Sequence, residues 1–233
     1  MRFKTLSSAL MLSGLLATSA CTDAGETLQI LQNQAVGTGE CTVSATQGNS
    51  LATGSLDVTA AADTEIGYIL TPLVTSRAQN QQSGQQGTNI TFITGANVDL
   101  SAADGSALQA EQTSYFIPLS GSINPGSNTG LAFEVMTAAT ASAIFGGGAS
   151  LVNANVTILG ETDGGGTESQ TFTYPIRLCD GCTRVSVGSC SELVAGFTPT
   201  QSVNACNPAQ DSLVQCCDNS TGGLTCPAAA ETP

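Results

Sequence analysis

The chain has 233 residues and a mass of 23.3 kDa, room for one ordinary domain with additions. It carries 5 Lys+Arg against 18 Asp+Glu, a formal charge of −13, and no His or Trp, so Ser-His-Asp and Cys-His pairs and HExxH zinc sites are excluded. Beyond Lys4 the only cations are Arg77, Arg177 and Arg184, which excludes Walker A and Schiff-base lysines and makes nucleic acid an unsuitable partner.

Residues 1–20 read as a leader. Met1-Arg2-Phe3-Lys4 is a short basic region, and Leu6–Ala17 is an apolar run too short to span a bilayer. Thr18-Ser19-Ala20 supplies small residues at a cleavage site, directly before Cys21. The segment resembles a bacterial lipoprotein signal peptide, in which the cysteine after the cut is acylated, although Thr18 stands where such leaders usually carry Leu. The alternative is a plain secretory leader. Cysteine parity favours the lipid. Cys21, Cys41, Cys179, Cys182, Cys190, Cys206, Cys216, Cys217 and Cys226 make an odd set, and acylating Cys21 leaves eight for four bridges. Residues 21–26 then form the lipidated cysteine and a tether of roughly 20 Å at full extension. Thr22, in place of Asp, points by the same resemblance to the outer membrane.

Residues 27–178 read as a β-sandwich domain. Period-two alternation predicts strands over 89–100, 151–158 and 171–178, with shorter runs at Leu56/Val58/Ala60 and Leu131/Phe133/Val135. In 89–100 one face reads Ile90, Phe92, Thr94, Ala96, Val98 and Leu100, and the other Thr91, Ile93, Gly95, Asn97 and Asp99. Turn signals stand at Asp104-Gly105, Asn124-Pro125-Gly126 and Asp163-Gly164-Gly165-Gly166. The expectation is an antiparallel sandwich of Ig-like or Greek-key type, with about eight to ten strands. One short helix is predicted within Met136–Phe145, stopped by Gly146-Gly147-Gly148. Residues 78–89 form a polar loop.

Residues 179–226 hold seven cysteines among turn formers and predict a loop-dominated module stapled by disulfides. Residues 227–233 are a flexible tail. Cys179-Asp180-Gly181-Cys182 lacks the helix start of a thioredoxin site and the His of a haem site. Four thiolates can bind zinc, yet in an exported chain disulfides are the expectation. Adjacent Cys216 and Cys217 must bridge to different partners, and Cys41 is expected to tie the sheet to the C-terminal module.

Carboxylates are the only general acid–base groups. Asp57, Asp99 and Glu134 fall on outward faces of predicted strands, and Asp63 and Glu65 flank a strand start. A glycosidase-like pair needs two of them converging within about 10 Å, and a solvated acidic face is the simpler reading. Asp163 to Glu168 resembles a calcium loop only faintly, lacking DxDxDG spacing, and the hairpin turn explains it without an ion. No cofactor, metal site or catalytic residue is predicted.

Leu28-Gln-Ile-Leu-Gln-Asn33-Gln34, Cys41, Gly54-Ser-Leu-Asp57 and Pro72-Leu-Val74 resemble segments of cysteine-rich cell-envelope lipoproteins from myxobacteria and their relatives. So do Pro175-Ile-Arg-Leu-Cys179-Asp-Gly-Cys182 and Gln210-Asp211…Cys216-Cys217. The resemblance implies a lipoprotein with no assigned reaction or ligand. The expectation is therefore a lipid-anchored, non-enzymatic structural or binding module of the outer membrane, its membrane contact made through the N-terminal lipid and its protein or glycan partner open. The alternatives are a carboxylate-based enzyme acting on envelope polysaccharide, with or without calcium, and an adhesin or partner-binding subunit.

Overall fold

The structure, a computed structural model, describes residues 27–36, 41–78, 89–191, 201–202, 204 and 206–225. The leader, Cys21 and its tether, most of the polar loop, Cys226 and the tail lie outside the described residues.

The chain is mainly β. The N-terminal half runs β1 Leu28–Gln34, β2 Ser50–Leu51, β3 Gly54–Asp57, α1 Val58–Thr64, β4 Tyr68–Leu70, β5 Pro72–Ser76, β6 Thr91–Ala102 and β7 Ser114–Ile123. It continues through β8 Asn128–Gly130, β9 Phe133–Met136, α2 Ala138–Gly146, β10 Leu151–Thr162, β11 Gly165–Glu168 and β12 Phe172–Cys179. The C-terminal strands are β13 Arg184–Ser189, β14 Gln201–Ser202, β15 Leu213–Asp218 and β16 Leu224–Thr225.

The largest sheet has six strands in the order β3-β12-β10-β6-β7, with β11 paired to β10, and it curls into a half-barrel. A second sheet, β2-β1-β5-β8, and the β4-β9 pair complete the N-terminal part, while β13, β14, β15 and β16 form a fourth sheet. The expectation of purely antiparallel pairing is corrected: β12 pairs with β3, and β13 with β15, in parallel. Among its described residues, the C-terminal segment carries a small sheet between its turns, because Leu213–Asp218 supplies a strand with partners on both sides.

Inward side chains of the curled sheet build one core. Val98, Val156, Ile158 and Ile176 meet Leu28, Ile30 and Val74 from the second sheet, and Ala61, Ala138, Ala141 and Ile144 from the helices. With so few aromatics, small and branched aliphatic residues fill the space.

Two helices stand where one was expected. α2 begins at Thr137, whose side chain accepts from the Thr140 N–H, and ends at Gly147 and the left-handed Gly148, so its predicted stop holds. α1 replaces the predicted strand through Val58 and Ala60. Asp57 caps it by accepting from the Ala60 N–H, and Thr59-Ala60-Ala61-Ala62 favours helix, overriding the alternation of Leu56, Val58 and Ala60. Glu65 closes it in the left-handed region, at φ 58°.

The two faces of β6 also differ from expectation. Thr91 and Ile93 point inward, as do Ala96, Val98 and Leu100, because Thr94 is an extra residue between the pairs Ile93–Gly160 and Gly95–Leu159. This bulge moves the inward set from odd to even positions and turns Phe92 to solvent.

Candidate functional site

Asp57 is not on an outward face. It is fully buried at the end of β3, accepting from the Ala60 N–H at 3.2 Å and from the Thr183 hydroxyl at 2.9 Å. Its carboxylate therefore joins the helix cap to the turn beside Cys182. We expect Asp57→Ala to lower stability by about 2 kcal/mol through loss of the cap and an orphaned Thr183 hydroxyl, read as a lower urea midpoint at unchanged slope.

Asp99 is exposed on β6, opposite Asn155, and two strands, β10 and β12, lie between it and β3. The structure does not bring Asp57 and Asp99 together. Glu134 on β9 accepts from the Gly67 N–H at 2.7 Å, and it adds to burial in pushing the Tyr115 hydroxyl upward. Asp63 and Glu65 are exposed at the end of α1. Asp163 and Gly164 form the two-residue turn between β10 and β11, braced by the Thr162 hydroxyl, which accepts from Gly164 N–H and donates to the Gly165 carbonyl. Among the described residues, no group of three or more His, Cys, Asp or Glu side chains is placed to hold a metal ion.

The cysteines are tied in pairs. Cys41 bridges Cys206 across 165 residues, Cys179 bridges Cys182, and Cys190 bridges Cys217. Cys216 is also disulfide-bonded. The first bridge clamps the loop after β1 to the segment leading into β15.

That segment carries polar residues whose burial was not legible in the sequence. The Asn207 amide donates to the carbonyls of Gly67 and Ile66. The Gln210 side chain accepts from the Ile69 N–H at 2.8 Å and donates to its carbonyl at 2.7 Å, mimicking a strand partner for β4. Backbone bonds from Asp57 N–H to Ala209 and from Asp211 N–H to Ser55 add a short edge to β3. Asp211 then reaches inward. Its Oδ1 accepts from the Ser55 N–H at 2.6 Å, and its Oδ2 from the Tyr68 hydroxyl at 2.7 Å. The Tyr174 hydroxyl lies 3.2 Å from that of Tyr68, with ring centroids 6.0 Å apart.

Burial is the main force on this trio. It pushes the Tyr68 hydroxyl well above its ordinary range, reinforced by the Asp211 charge, and raises Tyr174 to about 12, with the Tyr68 and Asn33 side chains pulling the other way. Burial also raises the Asp211 carboxyl, opposed by its hydrogen bonds from Tyr68 and Ser55. Gly54 makes room for the trio, since a Cβ there would fall 2.2 Å from the Tyr68 hydroxyl. Gly54→Ala should therefore cost about 1–3 kcal/mol, measured as a lower melting temperature. This trio is a latch holding the C-terminal segment on the domain.

Among the described residues, no element covers the outer face of the curled sheet. Its middle is polar and internally braced: the Thr173 hydroxyl donates to Asn155 Oδ1 at 2.8 Å, the Asn155 amide to the Ser101 hydroxyl at 3.2 Å, and Thr157 meets Thr171 at 3.2 Å. At one side, Phe92 and Phe116 stand 52% and 53% exposed. Beside Phe92, a cleft of about 490 Å³ is lined by Thr94, Leu159, Glu161, Thr167 and Glu168. Glu161 and Glu168 are diagonal neighbours on this face, opposite Gly166 and Leu159 respectively.

No family model, curated protein or solved structure matches the chain. No helix among the described residues is long and apolar enough to cross a membrane.

Proposed function

We propose that the protein is a lipid-anchored lipoprotein of the outer membrane, a non-enzymatic binding module built on a sandwich of Greek-key type. The observation that carries this reading is the disulfide set. Cys41–Cys206, Cys179–Cys182 and Cys190–Cys217, with Cys216 also oxidised, fit an oxidising compartment outside the cytoplasm. In that compartment an odd cysteine is a liability, and acylation of Cys21 behind a signal-peptide-like run removes it. Acyl chains hold a membrane in proportion to buried methylenes, so several on one cysteine give a stable anchor. The acidic chain, which has no lysine after Lys4, would stay solvated above anionic headgroups. Resemblance to the myxobacterial envelope lipoproteins supports the same placement. The open outer face favours binding over a purely structural role.

The test is fractionation of the host envelope. Wild type should partition with outer membranes, and Cys21→Ser should move to the soluble fraction with its disulfides intact. Equal fractionation of the two would overturn the anchor.

A further inference from the structure

We propose that the outer face of the curled sheet, along Phe92, the bulge at Thr94 and Gly95, and Phe116, binds a chain of uncharged polysaccharide. This deepens the binding-module reading and rests on it.

Phe92 and Phe116 are two of only seven phenylalanines, yet both leave about half their surface in water on a face whose middle is made of Thr, Asn and Ser. Phe116 is held in place. A Cβ on Gly95 would fall 2.2 Å from its ring, so the ring lies against bare backbone at the bulge. Such a ring is a preformed platform and loses little freedom when a ligand covers it. Phe92 stands in register with Glu161, and Phe116, through Asn97, with Thr157. Four steps along β10 separate the two rows, roughly 13 Å, a distance several sugar rings can bridge. A pyranose offers a C–H face to an aromatic ring and hydroxyls at its rim. The rim finds partners in the amides and hydroxyls of the face and in the Glu161 and Glu168 carboxylates of the cleft.

Charge selects the polymer. The face carries Asp99, Glu161 and Glu168 against Arg177, on a chain whose formal charge is −13, so acidic polysaccharides are repelled.

The detergent-extracted full chain should be retarded in native gels cast with at least one of hydroxyethyl cellulose, laminarin or galactomannan, and not with alginate. Phe92→Ala and Phe116→Ala should each weaken retardation about tenfold, from lost apolar contact. Phe116→Tyr should keep it, and all three should melt within a few degrees of wild type, since both rings are half-exposed. Absence of retardation with every neutral polymer, equal retardation by alginate, or retention in the double alanine variant would overturn the inference. So would a wild-type dimer in sedimentation that the double variant converts to monomer, which would make the face an interface between copies. The gel readout is independent of the anchor: an unlipidated chain that is retarded refutes the membrane reading alone, and a lipidated chain that is not refutes this one alone.

Discussion

Replacing Asp211 with alanine is expected to lower the unfolding free energy by about 3 kcal/mol, because it orphans the buried Tyr68 hydroxyl and the Ser55 N–H together. For a chain of this size that corresponds to a fall in melting temperature of about 6–12 °C. Part of the loss is conformational, since Asp211 sits at φ 50°, where Asp and Asn are tolerated better than Ala. Asp211→Asn should therefore lose less, keeping both the turn and an acceptor for Ser55. Its pH dependence has a definite sign. Burial raises the folded carboxyl above its ordinary 3.8, so the stability it contributes is fully present below that value and is lost as pH rises through the folded pKa. Wild type should thus lose stability relative to Asp211→Asn as pH rises above about 4, measured by urea unfolding at each pH. A constant difference would show that the carboxyl titrates normally and that burial does not govern it.

Removing the Cys41–Cys206 bridge by a double Cys→Ala change is expected to have the largest effect of all. It opens a loop with a sequence separation of 165 residues, and the chain-entropy model gives about 5 kcal/mol for that closure. The bridge and the Asp211 latch hold the same segment, so the two losses should not add. With the bridge gone, the segment around Asn207 and Gln210 should exchange its amide hydrogens first, by local opening. Global unfolding with no early-exchanging segment would mean that the latch alone suffices.

Period two made β10 and β12 legible residue by residue, because each buries one face and pairs in an unbroken register over 151–156 and 172–177. β6 was legible as a strand but not in its facing. One extra residue at Thr94 reverses the side-chain alternation, and nothing local marks a bulge except Gly95. The outward Phe92 was lost for the same reason. α1 was missed because Leu56, Val58 and Ala60 alternate like a strand, although the Asp57 cap and the alanines after it were readable signals. The Tyr68, Tyr174 and Asp211 latch was not legible at all. Tyr68 lies more than 100 residues from both partners in sequence, and Asp211 stands among turn formers that look solvated. Oxidation was legible for the seven described cysteines, as was the tie of Cys41 to the C-terminal segment, whereas the individual partners emerged only where the fold brought Cys41 beside Cys206 and Cys190 beside Cys217.

The most direct test of the account is the intact, unreduced mass of the protein extracted from its host's membranes. The account predicts a chain beginning at Cys21, heavier by a glycerol-linked set of acyl chains and lighter by the eight hydrogens that four disulfides remove. An unmodified mass from residue 21, or one retaining the hydrogens of several free thiols, would contradict it.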